Sequence, residues 1–311
     1  MYDTVNFRLK QYGAGGIDFL AETPCYFDVT GTHNFNGETV LSGNLNGLKI
    51  TVSRSGVNVK GGSLCKWYLG DNFQSMGRGD VKRAIEKLSD TLHLPIERAS
   101  VTRLDIAQNF IVKHPTSVYY NHLGILAYAK RLEQPDGLYY SQKDGQLVFY
   151  DKVKEQKIKR EPIPELYTDR NVLRYEQRFT SRVATQLNVA EVTGALLYDE
   201  NFYIRLLNGW RDDYKSIQKL NDTTLNYQAM RTKRQFYKMA ALSMIEQAGG
   251  QLEMFNQITE AQKRGELTSK QAYDLRQAVN DACSIRESIS APNEAIQELD
   301  KKVNETVKYY R

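Results

Sequence analysis

The first sixty residues alternate polar and apolar positions in short runs, VNFRL, CYFDVTG, ETVLSG, LKITVS and VNVKG, broken by glycine. A period of two predicts β-strands, with a tight turn at Arg54-Ser55-Gly56 between the last two. After Gly77-Arg78-Gly79-Asp80 the spacing becomes helical. Val81, Ala84, Ile85, Leu88 and Leu92 predict a helix capped by Asp80 and ending near His93, ahead of Pro95. SVTRLDIAQNFIV, residues 100–112, predicts a strand with Leu104, Ile106 and Phe110 on one face and Arg103, Asp105, Ala107 and Asn109 on the other. Val118, Ile125, Leu126 and Ala129 suggest a second helix over residues 117–131.

A hairpin is expected next, closing on Asp144-Gly145 as a two-residue turn. That turn sets Lys143 opposite Gln146, Tyr140 opposite Phe149 and Tyr139 opposite Tyr150. Read as one strand, LVFYDKVKE places Tyr150 and Lys152 on one face and Phe149 and Asp151 on the other. A charged connector leads to another strand, residues 172–179, with Leu173, Tyr175 and Phe179 opposing Arg174, Glu176 and Arg178.

Beyond about Ser181 the alternation gives way to polar sequence with helical spacing. Gly249-Gly250 ends one helix, and Gly265 to Thr268 separates the next pair, with Thr268 or Ser269 as cap. Pro292-Asn293 introduces a last helix, whose Ile296, Leu299, Val303, Val307 and Tyr310 form a narrow seam that wants a partner helix. The expected fold is α+β: an antiparallel-rich central sheet with flanking helices over residues 1–185, then an all-helical region over 186–311.

Composition narrows the chemistry only a little. The chain has 311 residues, 41% hydrophobic, enough for a sizeable core, and its net charge of +5 is a mild basic excess. Its 20 tyrosines suit strand packing and also stacking on bases. The cysteines, Cys25, Cys65 and Cys283, are odd in number and widely spaced, which argues against a disulfide framework or zinc cluster and for a reducing cytoplasm. No signal peptide or long apolar run is visible. Walker, Cys-x-x-Cys, Gly-x-Ser-x-Gly, His-Glu-x-x-His and His-x-His patterns do not occur.

Three separated strands nevertheless each offer a reactive face, with Asp105, Tyr150 and Glu176. If they are neighbours, Asp105, Glu176 and Glu155 can hold Mg²⁺ or Mn²⁺ against a phosphate. Tyr150 is the candidate nucleophile, and Lys152 with a nearby cation would favour its phenolate. Arg103, Arg174 and Arg178 suit phosphate contacts, as do Lys154 and, near a later helix start, Arg231, Lys233 and Arg234. Taken singly, a strand carboxylate is ordinarily a solvated or ion-paired group, and a strand tyrosine is ordinarily packing.

GSLCKWYLGDNF, VTRLDIAQNF, LVFYDKVKE and LRYEQRF, in this order, resemble the replication proteins of the filamentous-phage gene II/X type. More distantly they resemble the rolling-circle initiators of small plasmids; the resemblance covers roughly residues 1–185. It implies a metal-dependent, site-specific nickase of a phage or plasmid that joins itself to a 5′ phosphate and leaves a 3′ hydroxyl to prime replication. The tyrosine of the Phe/Ile-Tyr-Asp/Asn-Lys motif falls on Tyr150, and the family's acids fall on Asp105, Glu155 and Glu176. Asn109 stands where plasmid relatives often carry a second acid. The implied partners are origin DNA, a second copy of the chain and a host helicase, in a bacterial cytoplasm. A mobilisation relaxase and a non-catalytic origin-binding protein are the alternative readings, and Tyr139 is the reserve nucleophile.

Overall fold

The computed structural model describes residues 1–220, 222–223, 231–285, 290–291 and 293–311. Its centre is a ten-stranded sheet. The early strands are β1 (Tyr2–Lys10), β2 (Asp28–Phe35), β3 (Glu38–Leu45), β4 (Leu48–Ser53) and β5 (Gly56–Lys60). The later ones are β6 (Ser100–Val112), β7 (Lys130–Gln134), β8 (Gly137–Ser141), β9 (Gly145–Asp151) and β10 (Asn171–Phe179). Their order is β2-β3-β4-β5-β1-β6-β10-β9-β8-β7, antiparallel throughout. The early strands are short because tight turns close them. At Asn36-Gly37 and Asn46-Gly47 both residues have positive φ, the backbone that an Asn-Gly hairpin turn needs.

Between these halves lie α1 (Leu64–Leu69) and α2 (Arg78–Leu92). The apolar stripe of α2 is buried as its spacing predicts, and the helix ends at His93. Asp80 is not its N-cap: Gly77 is, and the Asp80 carboxylate accepts from the Gly77 N–H at 2.9 Å. The helix expected over 117–131 is only α3 (Thr116–Asn121). Past it, the Arg131 guanidinium binds the carbonyls of Leu123 and Tyr120, and residues 130–134 pair with β8 as the edge strand β7.

The β8–β9 hairpin is also two residues out of the expected register. It closes on Gln142-Lys143-Asp144, with the Gln142 N–H on the Gly145 carbonyl at 2.9 Å, and Tyr139 faces Val148, not Tyr150. Asp144 is drawn away from the turn by Ser181 and Arg182, which bind its carboxylate. An even slip preserves faces, so Tyr139 and Tyr150 still share one. β9 stops at Asp151, whose carboxylate caps α4 (Lys152–Lys159) through the Lys154 N–H at 2.8 Å. Lys152 and Glu155 therefore ride on a helix and not on the strand of Tyr150.

The apolar face of the sheet packs on α5 (Glu200–Ser216). Phe149 lies parallel to Tyr175 with ring centres 4.5 Å apart, and Trp210 stacks on Tyr175 at 4.7 Å. Three further helices, α6 (Lys233–Gln247), α7 (Gln251–Lys263) and α8 (Ser269–Cys283), share a small core of their own around Ile245, Ile258, Ala272 and Val279. Thr268 caps α8, its hydroxyl on the Gln271 N–H. The last helix, α9 (Glu294–Tyr310), buries Ile296, Leu299, Val303 and Val307 in the core of the sheet, so the seam finds its partner within the chain. The fold is α+β with a helical C-terminal region, and among the described residues no helix is long and apolar enough to cross a membrane.

Candidate functional site

The polar face of β6, β10 and β9 forms the floor of an open pocket of about 540 Å³. Antiparallel register explains the assembly. Arg174 sits opposite both Asn109 and Tyr150, Arg178 opposite Asp105, and Glu176 between them on the same side of β10. Residues far apart in sequence thus share one face because each strand alternates in step with its neighbour.

Glu176 is the hub. Its Oε1 accepts the Tyr150 hydroxyl at 2.8 Å and Arg174 Nε at 2.6 Å, while Oε2 accepts Arg178 Nε at 2.6 Å. Burial alone would raise its pKa, but Arg174 and Arg178 more than reverse that and hold the carboxyl down at about 2. Arg174, 2% exposed, also donates to Asp3 at 2.7 Å, to the Asn72 carbonyl at 2.9 Å and to Asn109 Oδ1 at 3.1 Å. Arg103 grips Asp105 bidentately at 2.7–3.2 Å. Burial raises the Asp105 carboxyl to about 6 despite that grip.

Tyr150 is a protonated phenol here. Burial is the main cause of its raised pKa, and the Glu176 charge adds to it, against a smaller opposing effect from Arg174. Lys152, expected to favour the phenolate, is engaged by other groups. Its buried ammonium binds Glu155 at 2.8 Å and lies 5.5 Å above the Phe73 ring. Lys159 takes the other Glu155 oxygen.

Of the residues singled out from sequence, Asp105, Tyr150, Glu155, Glu176, Arg103, Arg178 and Lys154 line this pocket. Arg231, Lys233 and Arg234 do not; they sit at the start of α6. Sequence reasoning missed Asp3, which binds Arg174, and Asn72, whose buried Oδ1 has no hydrogen-bond partner. The only trace of Asp3 was an acid inside an otherwise apolar-alternating first strand. Tyr139 also lines the pocket, its hydroxyl on Asp136 at 3.1 Å.

Asp105, Glu155 and Glu176 are the acids implied for a divalent ion. Among the described residues no three of His, Cys, Asp and Glu are arranged to hold one. Each of the implied acids is already bound to guanidinium or ammonium groups. As arranged they do not form that cage.

The family of phage replication-associated proteins of the gene II type, N-terminal part, matches residues 1–206, which hold the whole sheet and this pocket. The chain belongs to that family. No curated protein matches it. Membership makes it a phage-type replication-associated protein, and it places α6–α8 and α9 outside the matched segment.

Proposed function

We propose that this replication-associated protein nicks and rejoins one DNA strand at a replication origin, with Tyr150 as nucleophile. The observation that carries the reading is the Tyr150 hydroxyl held 2.8 Å from Glu176 on the floor of an open pocket where Arg103, Lys154, Lys159 and Arg178 stand among carboxylates. Glu176, fixed from both sides by Arg174 and Arg178, orients the hydroxyl; with its own pKa near 2 it is a poor resting place for the proton. Arg103, Arg178 and Lys154 line the space a scissile phosphate would take. The phenol oxygen bonds to phosphorus as the bond from phosphorus to the 3′ oxygen breaks. The phenol proton ends on the departing 3′ hydroxyl, and the 5′ phosphate stays on tyrosine. One phosphodiester replaces another, so the reverse reaction reseals the strand.

Origin DNA is the proposed partner, single-stranded or extruded as a hairpin at the nick, in the cytoplasm of a bacterial host. A second copy of the chain and a host helicase are further proposed partners. Membership in a replication family favours initiation over mobilisation. The test is incubation with origin-bearing single-stranded oligonucleotide, with and without Mg²⁺ or Mn²⁺, followed by mass analysis of tryptic peptides. A nucleotide adduct on the Tyr150 peptide that disappears in Tyr150→Phe supports the proposal. An adduct on Tyr139 would move the nucleophile, and no adduct in any condition would leave origin binding without catalysis.

A further inference from the structure

A second groove, of about 380 Å³, opens around the ends of β9 and β10, on the side of the sheet covered by α5. Arg178 lines both this groove and the Tyr150 pocket, which open on opposite faces of the sheet at the end of β10. Its lining is rich in amides: Gln142, Gln146, Gln177 and Asn188 all contribute. Leu147, Phe179 and Leu206 supply apolar surface.

The chemistry concentrates on Gln177 and Asp213. Gln177 is 7% exposed, and its amide nitrogen donates to Asp213 Oδ2. That bond leaves Gln177 Oε1 buried without a partner. Burial, with Asp212 nearby, raises the Asp213 carboxyl to about 6. A buried acceptor without a donor is costly, so a ligand that brings donors would recover that cost. The amide that carries the unpartnered oxygen is the one that donates to the carboxylate, so both acceptors belong to one linked pair of side chains.

We propose that this groove is a nucleobase subsite that takes a guanine from the single strand running away from the nick; the inference rests on the nicking reading. Guanine presents two adjacent donors, N1–H and the N2 amino group, to the Asp213 carboxylate and Gln177 Oε1. Adenine and cytosine each present one amino donor beside an acceptor nitrogen, and thymine one N–H between two carbonyls. Each of those would set an acceptor against one of the protein's acceptors. Unstacked bases of single strands are read on this edge, and the leucine and phenylalanine surface suits the base faces.

The test separates base reading from cleavage. Tyr150→Phe protein, which would bind without becoming trapped, is used to select from a pool of randomised single-stranded DNA. The selection is repeated in the same background with Asp213→Asn and with Gln177→Leu. The expected result is one position strongly enriched in guanine, with that enrichment falling roughly ten-fold in both variants while total DNA retained changes little. Asp213→Asn is nearly isosteric, and circular dichroism confirms that each variant is folded. DNA that is retained with no guanine-preferring position, or with a preference that both variants keep, overturns the subsite and leaves the nicking proposal standing. Failure to retain any DNA overturns both.

Discussion

Arg174→Met tests whether the pocket is held by charge or only by shape. Methionine keeps much of the apolar stem of a side chain that is 2% exposed, and removes its bonds to Glu176, Asp3, Asn72 and Asn109. Asp3 and Glu176 stay buried, and Arg178 remains on one oxygen of Glu176. Removing one partner of a buried pair costs about 3–5 kcal/mol. The titration of Glu176 gives a second figure. Its carboxyl falls from an ordinary 4.5 to about 2. At about 1.4 kcal/mol per pH unit, a fall of that size is about 3 kcal/mol, the net that remains after the arginines have offset burial. Arg174 also offsets part of that burial, so its loss, together with the stranding of Asp3, is expected to cost at least about 3 kcal/mol. A depressed carboxyl contributes stability in full above its unfolded pKa and loses it as pH falls towards the folded value. The deficit of the variant is therefore widest above about pH 5 and shrinks below about pH 4.5. Urea denaturation across that range measures it, and Arg174→Met combined with Glu176→Gln and Asp3→Asn should recover most of the loss. A deficit under about 1 kcal/mol at neutral pH, or one unchanged by acid, would refute the electrostatic account.

Other perturbations probe different links. A Cβ on Gly137 would lie 2.3 Å from the Phe149 carbonyl and 2.9 Å from Tyr150 Cβ. Gly137→Ala should therefore move Tyr150 and cut adduct formation by about 100-fold, read against a folded circular dichroism spectrum. Trp210→Ala removes the ring stacked on Tyr175 and should cost about 3–5 kcal/mol in urea denaturation, with Glu200–Ser216 loosened in hydrogen exchange. The Asp213 carboxyl, raised from 3.8 to about 6 by burial, contributes stability only while protonated, so it is lost as pH rises through about 6. Asp213→Asn should flatten that decline, by up to about 2 kcal/mol once its partial exposure is discounted, in thermal melts at about pH 4 and 7.

What the sequence revealed follows from which interactions are local. β6 and β10 were legible with their faces because alternation within a strand is a property of the strand itself. The stripe of α2 was legible for the same reason. The hairpin register was not, because Asp144 is claimed by Ser181 and Arg182 from a distant segment, which no turn rule can see. Residues 117–131 carried a helical spacing that lost to pairing with β8, where Pro135-Asp136 turns the chain between strands. The strand pattern places Lys152 wrongly because β9 stops at Asp151, which caps the helix that follows. The seam of α9 was legible as a seam but its partner was not, since a narrow apolar stripe fits a neighbouring chain as well as the core it came from.

The resting pocket is one in which every reagent is already occupied. The phenol is protonated and donates to Glu176, and Asp105, Glu155 and Glu176 each face a cation. On the proposed reading this is the expected state of an enzyme that must not attack until DNA arrives. A phosphodiester carries one negative charge and competes with carboxylates for guanidinium groups. Arg178, 24% exposed in its side chain, and Arg103, 36% exposed, can turn to it; Arg174, at 2%, is fixed by four partners. Once Arg178 leaves, Glu176 loses one of the two charges that keep its carboxyl low, becomes more basic, and is still hydrogen-bonded to the phenol. Binding of the phosphate would thus activate the tyrosine it is to join, using the exchange of one ion pair for another.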